Sequence, residues 1–287
     1  MSAVKEPAFF AFADRPRYRM ASGRKMSFPF VSEAKYLRLF AAAGPRQLVG
    51  ESSTLYLFES GTAERIHAKL PEARIVVVFR EPVERAYSAY GYLRRNGQEP
   101  LADFGAALED EEDRQRAGYS PDYYYRARSR YPVQIEPYLR LFGRERTHVV
   151  LFDGLQADFG GVVAGIQRFL GIAPAEPPEA VRRNASAIPR SSAHAGLRRF
   201  VTGPHPVKSL LKPVVPATLR RRLSTAAMHR LGGAGLEKVP PLPAPLAERL
   251  AEEFRPQVET LSRVVARSLS GWLERESRPA EEDQTRE

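Results

Sequence analysis

The clearest pattern along the chain is the run Arg74 to Phe79, RIVVVF. An unbroken β-branched stretch of this length predicts a strand buried on both faces. Pro82 then opens a predicted helix through Leu93, where its missing N–H costs nothing, and Asn96-Gly97 breaks it. The run His148 to Phe152, HVVLF, predicts a second strand. Helical patterns cover Ser32 to Ala43, with Ser32 as cap and Tyr36, Leu37 and Phe40 on one face, and Gly61 to Leu70, stopped by Pro71. They recur over the polar Phe104 to Arg116, over Tyr119 to Phe142, and over Phe159 to Leu170, closed by Gly171. Leu246 to Leu273 is a long amphipathic stretch containing Pro256. The first thirty residues and the Pro-rich stretches beyond Ile172 carry no period. Helices alternating with strands predict an α/β fold with a parallel sheet. Residues 1–275 are expected to form one domain, followed by a disordered charged tail, 276–287.

Composition narrows the classes. At 287 residues with 43% hydrophobic and 27% charged, the chain is globular. It has no cysteine, which excludes disulfides, Cys-ligated zinc, iron–sulfur clusters and a thiol nucleophile. No run of eighteen apolar residues and no signal-peptide pattern occur, so a soluble, cytoplasmic protein is expected. Lys and Arg number 44 against 34 Asp and Glu, a net charge of +10. Arg is the better fork for phosphate, sulfate and carboxylate. No zinc-finger spacing, RNA-reading aromatic motif or continuous basic arm accompanies that charge, so no nucleic-acid partner is expected.

Three segments offer chemistry. Arg80 stands at the carboxyl end of the first predicted strand, where open α/β sheets bind ligands, and Ser88 follows eight residues later. A guanidinium, a hydroxyl and helix N-terminal amides together make an anion site, whereas a plain ion pair of Arg80 with Glu81 or Glu84 is the simpler reading. In KEPAFF, Glu6 lies beside Lys5 and ahead of Phe9 and Phe10, a carboxylate between a cation and an apolar wall that can act as a base. In Asn184 to Ser191, Arg190 and the hydroxyls can close over an anion, whereas an ordinary loop is the simpler reading. His67 reads as a surface residue of a predicted helix, His148 opens a strand with no visible partner, and EDEED, Glu109 to Asp113, reads as a solvated helix face.

The order KEPAFF, GESSTLYL, RIVVVFREPVERAYSAYGYLRR resembles the sulfotransferases that use 3′-phosphoadenosine 5′-phosphosulfate (PAPS), most closely the heparan-sulfate type and its bacterial relatives. The likeness continues through Arg128 to Leu155 and returns at NASAIPRS and LSGWL. The resemblance implies a P-loop-NTPase-like three-layer α/β/α fold around a central parallel sheet, with PAPS as co-substrate and no metal. The acceptor it implies is a hydroxyl or amine of a small molecule or glycan, a carbohydrate or glycolipid by the same resemblance. By position Glu6 matches the general base, Arg80 and Ser88 the 3′-phosphate clamp, and Arg190 and Ser191 a loop over the nucleotide. Lys5, Phe9, Ser52 and Ser53 match the acceptor cleft; Tyr131 aligns with a family tyrosine without an assigned role. Two departures are expected to matter. The family's first strand and its 5′-phosphosulfate loop, like Pro-Lys-x-Gly-Thr-Thr, have no counterpart ahead of KEPAFF, and Ser52 stands where heparan-type members often carry Lys. A catalytically inactive nucleotide- or polyanion-binding protein is therefore the competing expectation.

Overall fold

The computed structural model describes residues 1–12, 18–21, 23, 32–173, 175, 187–189 and 236–273. Its sheet is built on β1 (Ile75–Phe79) and β2 (Thr147–Leu151), paired in parallel with Ile75 opposite Thr147 and Phe79 opposite Leu151. Ile75 N–H donates to Arg146 O at 2.8 Å. In a parallel ladder alternate residues turn both backbone polar groups to the same neighbour. Ile75, Val77 and Phe79 thus serve β2, and Val76 and Val78 offer theirs to the opposite edge, where no strand pairs among the described residues. The same alternation corrects the expectation of burial on both faces. Val77 and Phe79 point into the core, whereas Val78 is 47% exposed. Among the described residues, α6 (Tyr131–Phe142) and the cluster around it cover the face of β1 that carries Val77 and Phe79.

Between the strands run α3 (Pro82–Arg95), α4 (Phe104–Glu109), α5 (Glu111–Arg116) and α6. Two expected helices are shorter than their patterns. Tyr119 to Phe142 is not one helix: separate 3-10 turns at Pro121–Tyr123 and Ala127–Ser129 precede α6. Ser120 caps the first by accepting from Asp122 N, and prolines open both that turn and α6, because proline starts a helical turn more readily than it continues one. Phe104 to Arg116 divides at Asp110. The expected strand His148 to Phe152 starts one residue earlier, and Phe152 already begins α7 (Phe152–Ala157), followed by α8 (Phe159–Leu170). Ahead of β1 lie α1 (Glu33–Leu37), continued by a 3-10 turn to Phe40, and α2 (Thr62–Lys69). A short antiparallel pair joins β3 (Ala187–Pro189) to β4 (Leu236–Lys238). The last helix, α9 (Ala244–Val265), passes through Pro256 and stops at Ala266, whose φ is 52°. A 3-10 turn then tucks Trp272 into the core, so the expected continuous stretch to Leu273 is interrupted.

Three apolar clusters result among the described residues, a small one of Ala11, Phe12 and Leu55 and two larger ones that α9 joins. Leu250 and Phe254 enter the cluster of Val83, Leu93, Phe104 and Tyr125. One and two turns later Val258 and Leu261 enter the cluster of Phe79, Ile135 and Phe142. Each such buried side chain contributes about 1.5–3 kcal/mol. No helix among the described residues is long and apolar enough to cross a membrane.

Candidate active site

A cavity of about 2190 Å³ opens against the free edge of β1. Its wall is built from the N-terminal segment, the loop 47–54, the edge residues Val76 and Val78, and the junction of β1 with α3. Of the residues singled out in the sequence, Lys5, Glu6, Ser52, Ser53, Arg80 and Ser88 all border it. Phe9 does not: it stacks on Tyr36 with ring centroids 4.4 Å apart, and Phe10 lines the cavity instead. Arg190 and Ser191 lie outside the described residues. His67 packs edge-on against Phe142 and His148 stacks on Phe169, both away from the cavity. Burial, with Arg267 nearby, holds His148 below the usual imidazole range. No cluster of His, Asp and Glu that could hold a metal occurs among the described residues.

On the Glu6 side the backbone is unusual. Glu6 and Ala8 have φ of 53° and 51°, in the left-handed region, which costs a non-glycine residue about 1–3 kcal/mol. Side chains from two other segments hold this turn. Ala8 N–H donates to Ser53 Oγ at 3.0 Å, and Phe10 N–H to the Tyr56 hydroxyl at 3.3 Å. Arg65 takes the carbonyl side, donating from Nε to Phe10 O at 2.6 Å and from Nη2 to Ala11 O at 3.3 Å. Ser53 in turn donates to Glu51 Oε2 at 2.6 Å, Tyr36 donates to Glu51 Oε1 at 3.0 Å, and Tyr56 donates to the same Oε1. Burial, reinforced by the Glu51 carboxylate, pushes both phenols well above the usual tyrosine range. Glu6 itself is held loosely: Thr54 Oγ1 donates to Oε2 at 3.3 Å, and Lys5 Nζ stands 3.8 Å from Oε1. At 40% side-chain exposure Glu6 is open to the cavity, a position from which a carboxylate can reach a ligand's proton.

At the β1–α3 junction the sequence reading needs one correction. The amides of the first turn of α3 are not free for an anion. Val83 N–H and Glu84 N–H donate to Glu81 Oε1 and Oε2 at 2.9 and 2.7 Å, so the helix is capped by its own carboxylate. Arg80 makes the simpler contact weighed for it, with Nη2 3.3 Å from Glu84 Oε2, and lies over the Phe152 ring at 4.9 Å. Its side chain remains 31% exposed. The backbone here is fixed by Tyr131, whose hydroxyl donates to Arg80 O at 2.9 Å and whose ring packs on Phe79. Burial pushes the Tyr131 phenol up to about 12.

Further cavity residues not singled out in the sequence include Glu51, Arg85 and Arg128. Arg85 donates Nε to Ser129 Oγ at 2.7 Å and Nη2 to Tyr125 O, neutral acceptors both, and burial lowers its pKa to about 10. Arg128 Nη1 lies 3.3 Å from Asp122. A weak signal existed for Glu51 in GESST, a carboxylate run together with three hydroxyls. None existed for Arg85 or Arg128, two among 37 arginines. The EDEED run also departs from its reading as a solvated face. Glu111 is buried and accepts from Arg126 N–H and Ala127 N–H at 2.7 and 2.9 Å.

The geometry can be set beside known proteins. The crystal structure of a sulfotransferase from Alicyclobacillus acidocaldarius aligns with a TM-score of 0.70 and 29% identity, over 94% of this chain and 87% of that one. The membrane-associated sulfotransferase kil1 of Dictyostelium discoideum is 32% identical over 72 residues, which cover 24% of this chain. The bifunctional heparan sulfate N-deacetylase/N-sulfotransferase 4 of Mus musculus is 27% identical over 133 residues, 43% of this chain. The matches span only 15% and 14% of those two proteins. The parallel sheet and its helices are thus the P-loop-like α/β fold of sulfotransferases. A model of the sulfotransferase family matches residues 24–176, more than half of the chain, and the protein belongs to that family.

Proposed function

We infer that the chain, read as one domain over residues 1–275, transfers a sulfuryl group from PAPS to a hydroxyl or amine of an acceptor. The observation that carries this reading is a single cavity bordered both by Glu6 and by Arg80 with Ser88. In the reaction the acceptor oxygen or nitrogen attacks sulfur in line. Its bond to sulfur forms as the bond from sulfur to the bridging phosphate oxygen breaks, and adenosine 3′,5′-bisphosphate leaves. Glu6 takes the acceptor's proton. Arg80 and Ser88 hold the 3′-phosphate, and Arg190 and Ser191, outside the described residues, are assigned to the nucleotide by the family resemblance. Such a transfer depends on positioning and charge stabilisation rather than on covalent chemistry by the protein, and a metal is not required. Lys5 and Ser52 face the acceptor. Ser53 does so less readily, because its hydroxyl is already engaged by Ala8 and Glu51. The half-exposed Leu48, Val49 and Val78 on the wall suit the apolar part of a glycolipid, so a carbohydrate or glycolipid acceptor is favoured.

A second reading has a specific observation behind it. Arg80 is paired with Glu84, and Glu81 occupies the first-turn amides of α3, so part of the anion-binding capacity is already spent. On this reading the chain binds a nucleotide or polyanion without transferring sulfate. Transfer from labelled PAPS to a panel of sugar and lipid-linked acceptors separates the two. Under the first reading Glu6→Gln lowers the rate about 100- to 10,000-fold, the range of a general base. A Glu6→Gln protein as fast as its parent removes Glu6 from the role. No transfer, with tight adenosine 3′,5′-bisphosphate binding, favours the second reading.

A further inference from the structure

The geometry points to Glu51 as the positioning residue of the acceptor side, acting on the turn that carries Glu6 through two hydroxyls whose protons it orders. The role rests on the reading of Glu6 as base, but the contacts themselves do not. Glu51 has no cation within ion-pair distance among the described residues, and its carboxylate is satisfied by hydroxyl donors from Tyr36, Ser53 and Tyr56. An ionised carboxylate only accepts, so each hydroxyl facing it spends its single proton there. The lone pairs of Ser53 and Tyr56 are then left for the amides of Ala8 and Phe10, which is how both bonds run. Each carboxylate oxygen therefore reaches one amide of the 6–10 segment through one hydroxyl. Those two amides flank the left-handed Ala8 and follow the left-handed Glu6, so each arm pins one amide of the strained turn while Arg65 holds its carbonyl side. Tyr138 steadies the second arm, its hydroxyl donating to Tyr56 O at 2.6 Å. Replacing the carboxylate frees both hydroxyl protons to rotate toward the amides, where a proton meets a proton.

Residue-resolved amide hydrogen exchange of the full chain tests this without any acceptor. Ser53→Ala is expected to raise exchange at Ala8 at least tenfold and to leave Phe10 within twofold. Tyr56→Phe should do the reverse, and Glu51→Ala should raise both. Val77 in β1 serves as the reference for global opening, and exchange at Ala8 and Phe10 is read relative to it. Glu51→Gln keeps the shape in case Glu51→Ala does not fold, and should raise exchange at one or both amides severalfold. In the transfer assay Glu51→Gln is expected to lower kcat about tenfold or more at an unchanged KM for PAPS. Exchange at Ala8 and Phe10 within twofold of wild type in both Glu51 variants overturns the proposal. So does a raised KM for PAPS with kcat intact. If Glu6→Gln transfers as fast as wild type while the exchange pattern holds, the base assignment falls and Glu51 remains the organiser of the turn. If no variant transfers sulfate, the exchange pattern alone decides.

Discussion

Two carboxylates, Glu51 and Glu99, organise two regions of this protein in opposite ways. Glu99 is fully buried between α3 and α5. Arg114 meets both its oxygens, at 2.5 and 3.0 Å, and Tyr125 Oη and Leu101 N–H donate at 2.6 and 2.9 Å. Arg114 is itself buried and also donates to Asp110 at 2.6 Å. Here charge is neutralised, every strong group is satisfied, and the surroundings are a packed aromatic cluster. Glu51 borders the cavity and, among the described residues, is met by hydroxyls alone. A cation-paired carboxylate fixes a core, and removing its partner strands a charge out of water. A carboxylate held by hydroxyls orients those hydroxyls instead, and so shapes the backbone they serve.

The contrast can be broken most severely at the ion pair. Arg114→Met leaves Glu99 buried without its cation and should cost about 3–5 kcal/mol of stability in denaturant titration. Glu51→Gln removes no cation partner and should cost about 1 kcal/mol, the net worth of a hydrogen bond. Equal losses would erase the distinction between the two regions.

Alkali should unfasten the aromatic cluster next. Burial raises the phenols of Tyr90 and Tyr123 to about 12, against an ordinary value of 10. Below pH 10 both folded and unfolded chains keep these protons, and stability is unaffected. Between pH 10 and about 12 the unfolded chain releases them first, so it binds fewer protons and stability falls as pH rises. Melting temperature should therefore drop across that window, with tyrosinate absorbance appearing on unfolding rather than before it. Tyrosinate absorbance of Tyr90 and Tyr123 complete at pH 10 in the folded protein would contradict this.

Within β1 the same comparison can be made one residue apart. Val77→Ala, in the core, should cost about 1.5–3 kcal/mol. Val78→Ala, on the cavity face, should stay within about 0.5 kcal/mol. A Val78 loss matching that of Val77 would mean that the cavity face of β1 is packed in solution.

The smallest expected effect comes from Glu84. Glu84 competes with any phosphate for its guanidinium, through a partly exposed pair worth about 0.2–1 kcal/mol. Glu84→Gln should thus tighten adenosine 3′,5′-bisphosphate binding by up to about fivefold in calorimetry, whereas Arg80→Ala should weaken it by about 1.5–3 kcal/mol. Weaker binding in Glu84→Gln would show that the pair preorganises Arg80 instead of occupying it.

What the sequence determined by itself was local. RIVVVF and HVVLF marked β1 and β2 to within a residue at their ends, because a β-branched run restricts the backbone without outside help. Pro82 and Gly171 marked a helix start and a helix end for equally local reasons. The succession of motifs was enough to indicate the family, and Glu6, Arg80 and Ser88 were nameable from it. What only the tertiary structure decided was which partners those residues meet. Glu81 caps α3, Glu84 holds Arg80, and Phe9 rather than Phe10 turns away from the cavity, because each outcome depends on side chains competing for the same few donors and walls. Tyr36, Ser53 and Tyr56 converge on Glu51 from separate segments, and no spacing along the chain encodes a meeting whose geometry is set by packing. The burial of Glu111 within an acidic run has the same origin: its two backbone donors, Arg126 and Ala127, arrive from the far side of a turn that the helical period did not anticipate.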